Sequence, residues 1–99
     1  MSKPFEANAG TYTGTGVAQS ITLGYRPSAV TIINVTDGDT VTFHIDGMTD
    51  GSSVSIGAAA ATVTNAVTFS ATGFSVGTDG SVNENAKVFR YIALGGSEP

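Results

Sequence analysis

Residues 39 to 46, DTVTFHID, alternate apolar and polar side chains one for one, and no segment of the chain repeats its apolar residues at the spacing of an amphipathic helix. A side-chain period of two belongs to extended backbone with one face buried. Val41, Phe43 and Ile45 therefore point to one side of a strand and Thr42, His44 and Asp46 to the other, which makes the second set its polar face. Residues 28 to 35, SAVTIINV, put Val30 and Ile32 on one face and Ile33 and Val35 on the other, the pattern of a strand covered on both sides. Upstream, GVAQSITL brings Ile21 and Leu23 into the same period, and GYRP at residues 24 to 27 turns the chain. Pro27 fixes its own φ there and pushes Arg26 towards extended geometry.

The glycine-containing segments TDGDT and DGMTDGS read as turns on either side of the 39 to 46 strand. Beyond them SSVSIG, AVTFSA and GFSVG are each short and closed by a small residue, and AKVFRYIAL follows as the last strand. In IGAAAATVTNA, Ala58 to Ala61 suit a helical turn, but Thr62, Val63 and Thr64 come next, so the segment reads as a loop or a small-residue edge strand. Short strands at this spacing predict an all-β, single-domain antiparallel β-sandwich, with a small, partly closed β-barrel as the alternative. The expected organisation is a flexible N-terminal arm over residues 1 to 9, the β domain over 10 to 95 and a flexible C-terminal tail over 96 to 99.

Composition narrows the function classes. A chain of 99 residues makes one domain with a two-layer core and little material for an enclosed cleft. Cysteine is absent, so stability has to come from strand packing or assembly, and the usage fits folding in a reducing cytoplasm. The start MSKPFEANAG lacks the apolar core of a secretory signal, and no apolar run approaches the roughly 20 residues of a membrane span. With a net charge of −4 and basic residues only at Lys3, Arg26, Lys87 and Arg90, neither nucleic acid nor membrane is an expected partner. Only 12 % of residues are charged, where about a quarter is usual. A surface rich in Thr, Ser, Gly and Ala suits close packing against neighbouring molecules.

Few residues offer chemistry. In GTDGSVNENAKVFRYIAL, residues 77 to 94, Asp79, Ser81, Asn83 and Asn85 place oxygen at alternate positions, like the first half of a calcium loop. Glu84 stands where that loop requires glycine, Arg90 stands where it requires a bidentate glutamate, and a strand follows in place of a helix. The segment is therefore read as a polar turn leading into the last strand. Asp37, Asp39, Asp46 and Asp50 form a second oxygen-rich patch and are weak candidates for a shared cation, with solvated turn residues as the favoured reading. His44 is the only histidine, and no GxSxG elbow accompanies it. It is assigned to an interface contact. Phe69, Phe74, Phe89 and Tyr91 are expected in the core. Tyr12 and Tyr25 lie beside glycines in turns and, with Arg26, make the candidate exposed recognition face. No catalytic residue, cofactor or enzymatic activity is expected.

Two stretches carry a resemblance. GTYTGTGVAQSITLGYRPSAVTIIN at residues 10 to 34 has a Y-x-G-x-G opening at Tyr12, Gly14 and Gly16. An I-x-L-G-[FY]-x-P turn follows at Ile21, Leu23, Gly24, Tyr25 and Pro27, and then a V-x-I strand at Val30 and Ile32. FSATGFSVGTDGSVNENAKVFRYIALG at 69 to 95 has Gly73, Phe74, Val76, Gly77, Val82 and Asn83, then an aromatic last strand with Tyr91, Ala93 and Leu94. Together they resemble a small all-β module recurrent in virion proteins of tailed bacteriophages, over about half the chain. Such modules occur as capsid decoration (cement) proteins and as domains of tail fibres.

The resemblance implies a structural virion protein on the outer surface of a phage head, made in the host cytoplasm. The chain is little more than the module itself, which favours a separate protein added in many copies. Its expected partners are the major capsid protein and further copies of itself, as a homo-oligomer, most simply a trimer. In that reading Lys3, Pro4 and Phe5 reach to the shell or to a neighbour, with Phe5 as the apolar anchor. The alternative is a receptor- or glycan-binding module at a tail tip. The family carries over no catalytic residues.

Overall fold

The computed structural model describes residues 6 to 95. Within them the chain runs β1 (Glu6–Thr13), β2 (Gln19–Thr22), β3 (Pro27–Asn34), β4 (Val41–Ile45), β5 (Ser53–Ile56), β6 (Ala60–Val63), β7 (Val67–Ser70), β8 (Gly73–Val76), one helical turn α1 (Gly80–Asn83) and β9 (Val88–Gly95). A six-stranded sheet has the order β1-β9-β3-β4-β5-β6 and a three-stranded sheet the order β2-β8-β7. Every pairing is antiparallel. The architecture is the expected small all-β domain of two antiparallel sheets. They do not close into the alternative barrel, because β1 and β6 remain the two edges of the larger sheet.

The flexible arm expected over residues 1 to 9 is corrected over residues 6 to 9; residues 1 to 5 and the expected tail over 96 to 99 lie outside the described residues. Residues 6 to 9 form the first half of β1 and pair with β9, Glu6 opposite Gly95 and Ala9 opposite Ile92. Ala7 and Ala9 suit an edge strand, whose backbone hydrogen bonds supply the order that composition alone does not suggest. Ala60 and Ala61 lie in β6, a small-residue edge strand, as one of the two expected readings had it.

The core lies between β9 and β3 of the larger sheet and β7 and β8 of the smaller one. Val30 and Ile32 from β3, Phe89 and Ala93 from β9, Val67 and Phe69 from β7, and Phe74 and Val76 from β8 meet there, with Val82 of α1 closing one end. Each large apolar side chain buried in this way contributes roughly 1.5 to 3 kcal/mol. The expected core aromatics are confirmed: Phe69, Phe74 and Phe89 are buried, and Tyr91 packs edge-on against Phe74 with ring centroids 5.2 Å apart.

The first and last thirds of the chain are built into each other. β1 lies along β9 and β2 along β8, so the connection between β1 and β2 must cross the connection between β8 and β9 at close range. Gly14 makes that approach possible. A Cβ at this position would stand 2.0 Å from the Glu84 carbonyl oxygen, and the backbone there is held by hydrogen bonds from Gly14 N to Lys87 O and from Ala86 N to Gly14 O. Gly16, with φ +76°, then turns the chain through the left-handed region. Gly14→Ala is expected to lower stability by roughly 2 to 4 kcal/mol, through an overlap that backbone atoms on both sides must relieve. Urea unfolding would measure it, and an unchanged midpoint would show that the two segments can separate freely.

Candidate functional site

The glycine- and asparagine-rich segment before the last strand is a structural clamp. Asp79 caps α1, its carboxylate accepting from Ser81 N at 3.0 Å and from the Ser81 hydroxyl. Asn83 is fully buried. Its Oδ1 accepts from Thr15 N and from Gln19 Nε2, both at 2.9 Å, while its Nδ2 donates to Val17 O and Gly77 O, both at 2.8 Å. Three of the four side chains that imitate a calcium loop, Asp79, Ser81 and Asn83, are thus committed to protein partners. The helical turn and its buried amide also replace the simple polar turn read from the sequence.

His44 corrects a second expectation. It is 1 % exposed, with Nδ1 hydrogen-bonded to the Ser52 carbonyl and its ring edge-on to Phe69 at 4.6 Å. An interface contact is closed to a side chain so placed. Its whole strand is inverted relative to the reading from alternation: Thr42 and His44 face the second sheet, and Ile45 is 51 % exposed. The inner face tolerates polar residues because they satisfy one another. Thr42 Oγ1 donates to Ser55 Oγ at 3.1 Å, and Ser53 Oγ accepts from Val67 N at 3.3 Å. Among the described residues no buried side-chain polar atom lacks a partner.

The proposed aromatic recognition face is also turned inward. Tyr25 is 7 % exposed and its hydroxyl donates to Ala93 O at 3.1 Å, so the glycine turn that suggested exposure instead folds the ring back over β9. Tyr12 is half-buried, stacks on Phe89 at 5.3 Å and donates to Val82 O at 2.6 Å. Arg26 remains exposed, paired with Asp46 at 3.3 Å and lying 5.7 Å over the Phe69 ring.

The aspartates do not gather. Asp37 takes Lys87 Nζ at 3.1 Å and Asn34 Nδ2 at 3.1 Å, and Asp39 takes the Thr40 hydroxyl at 2.9 Å. Both precede β4, whereas Asp46 and Asp50 follow it, about 14 Å further along at strand rise. Among the described residues no group of three His, Asp or Glu side chains has the arrangement of a metal site. Lys3, Pro4 and Phe5 lie outside the described residues.

What the structure does assemble is an apolar sheet face. Side chains opposite one another in the ladder share a face, and the outward face of the six-stranded sheet joins Ile33 to Val41 and Arg90, Thr31 to Phe43 and Ile92, and Ala29 to Ile45 and Leu94. Val54 and Ile56 extend it beyond Phe43 and Val41, and Ala9 and Thr11 extend it beyond Ile92 and Arg90. Ile33 is 42 %, Val35 43 %, Ile56 44 % and Ile92 46 % exposed, so large apolar side chains lie open across several strands. Strand spacing and rise give the face roughly 400 Å2 in projection, within the range of the largest apolar patch on an ordinary monomer, a patch that often serves function. Arg90 is the one charged residue among its paired positions.

Ile33 and Val35 were expected to make β3 a strand covered on both sides; the second apolar side is present, but no element of the described residues covers it. The missing signal was the parity of β4, which adds Val41, Phe43 and Ile45 to the same side.

Two outcomes follow from the clamp. Asn83→Ala strands two donors and two acceptors and should cost roughly 2 to 4 kcal/mol; an effect below about 1 kcal/mol would mean that water replaces the amide readily. Burial also holds the Tyr12 phenol above its ordinary value of 10.0. The folded protein therefore favours the neutral phenol, so this contribution is complete below pH 10 and shrinks as the unfolded chain ionises above it. Wild type should exceed Tyr12→Phe by about 1 kcal/mol at neutral pH and lose part of that margin by pH 11. A margin constant across this range would refute the assignment.

Comparison of the chain with protein-family models, with curated proteins and with solved structures found no match.

Proposed function

We propose that this protein is a structural component of a tailed-phage virion, a decoration protein that seats the outward face of its six-stranded sheet on the capsid and ties neighbouring shell subunits together. The observation that carries the proposal is the open apolar face centred on Ile33 and Ile92, 42 % and 46 % exposed, with one charge among its paired positions. Such a surface gains free energy by losing water against another protein, and a flat sheet suits a broad, shallow contact. A low charge content, 12 % of the chain, is consistent with a protein that works in a packed assembly. Each contact is small, but copies joined to one another act together, so an oligomer such as a trimer would hold a shell more firmly than its single faces suggest. The resemblance of residues 10 to 34 and 69 to 95 to phage virion modules supplies the shell as the partner.

The tail-tip alternative used Tyr12, Tyr25 and the aspartate-rich turns as its recognition face; both tyrosine hydroxyls are engaged with the protein's own backbone, which leaves that reading the exposed turns alone. The capsid reading uses the open sheet face.

Labelled protein is expected to sediment with shells that lack it, saturably and in many copies per particle. Failure to sediment would overturn the proposal. Ile33→Asp should abolish that binding at a cost of roughly 1 to 2 kcal/mol in stability, because Ile33 is 42 % exposed on a central strand and aspartate is a poor strand former; a cooperative melt would show that the variant folds. Full binding by Ile33→Asp would remove the sheet face from the interface.

A further inference from the structure

Arg90 sits on β9, one strand in from the β1 edge of the sheet, where it borders the apolar face. It pairs with Ile33 on β3 and Thr11 on β1, with Val88 and Ile92 two residues to either side. Among the described residues it makes no ion pair; the two that form use Arg26 with Asp46 and Lys87 with Asp37. Beside it a shallow groove of about 210 Å3 is lined by Thr31, Ile33, Val35, Arg90, Tyr91 and Ile92. An engineered cavity of about 150 Å3 holds a benzene ring, so the groove has room for one large apolar side chain.

We infer that this groove binds a segment of a partner protein that presents one large apolar side chain with a carboxylate next to it, the side chain lying over the β3–β9 ladder against Thr31, Ile33 and Ile92 and the carboxylate meeting Arg90. The inference rests on the outward face being the docking surface and adds the chemistry of what docks there.

Charge complementarity selects this occupant. A guanidinium shut against an apolar surface with no acceptor is strongly disfavoured, whereas a carboxylate can take two of its parallel N–H donors. The same requirement argues against a second copy stacked face to face. The paired positions of the face carry no carboxylate, so two copies would bury two guanidinium groups against apolar side chains. It argues equally against a lipid surface, since anionic membranes are held by clusters of basic residues and this face offers one.

Two substitutions separate charge from area. Arg90→Met keeps much of the apolar stem and removes the cation; Arg90→Glu reverses it. The position is exposed on a strand, and melting temperatures near that of wild type would show that both variants fold. Binding to shells lacking the protein should fall at least roughly thirtyfold in Arg90→Met, the lower end of the effect of removing one partner of a buried charge pair, and further in Arg90→Glu. Arg90→Met binding as tightly as wild type would overturn the inference and leave the capsid reading standing.

A random peptide library panned on the full-length protein provides a test that needs no shell. Wild type should enrich peptides with a large apolar residue beside Asp or Glu, and Arg90→Glu should lose that acidic preference. Apolar enrichment without an acidic neighbour, or no shared pattern, would overturn the inference. So would a dimer in sedimentation velocity that Ile33→Asp dissociates, since the second copy would then be the occupant. The acidic preference in peptides, together with no binding of wild type to shells, would sink the capsid reading alone.

Discussion

The buried amide of Asn83 joins two parts of the chain that are 64 to 68 residues apart in its contacts with Thr15, Val17 and Gln19. Most of the architecture depends on that junction. On one side of it β1 and β9 run together over eight residue pairs, and on the other β2 pairs with β8. The two pairings belong to different sheets, so the amide sets the separation and register of both layers at once. A side chain with two donors and two acceptors is the right tool, since it meets an N–H, a side-chain amide and two carbonyls with none left over. Contacts of this range are slow to form, because loop closure must precede any gain from them. Gly14 and Tyr12 serve the same junction, the first by leaving room for the Glu84 carbonyl and the second by binding the Val82 carbonyl.

Much of the fold was legible because it depends on local period. Strand after strand could be read from alternation, and the small residues before Thr62 correctly suggested an edge. The side each strand turns inward was less legible, and the physical reason is plain at β4. Alternation divides a strand into two faces and says nothing about which of them the second sheet will cover. Here the covered face is the polar one, because Thr42, Ser53, Ser55 and His44 find partners among themselves and in nearby backbone. A small polar face also lets β7 come close enough for Phe69 to reach the His44 ring. The same limit explains Tyr25, whose acceptor on Ala93 lies 68 residues away and is invisible in its own neighbourhood. The clamp at Asn83 was hidden for that reason too: a turn rich in Asp, Gly and Asn looks alike whether its amides face water or another segment.

Inverting β4 has a consequence for the surface. The apolar residues that periodicity would have assigned to a core, Val41, Phe43 and Ile45, join Ile33, Ile56 and Ile92 on the outside. The core proper is then confined to the region under β3 and β9, where both sheets contribute large side chains. The domain thus divides its apolar residues between a core that holds the fold and a face that is left open. Substitutions on the two should behave differently, since only the first group loses its packing when a side chain is shortened.

An open apolar face is a hazard to a free protein, because flat, uncharged sheet surfaces associate with whatever resembles them. Arg90 counters that at the border of the face. In the free protein its guanidinium stays hydrated among Ile33, Ile92 and Val88, and stacking two such faces would remove that hydration without supplying an acceptor. A partner that brings a carboxylate converts the same residue from an obstacle into a contact. Selectivity of this kind penalises the wrong partner as well as rewarding the right one, and Arg90, the one charge among the paired positions of the outward face, does both.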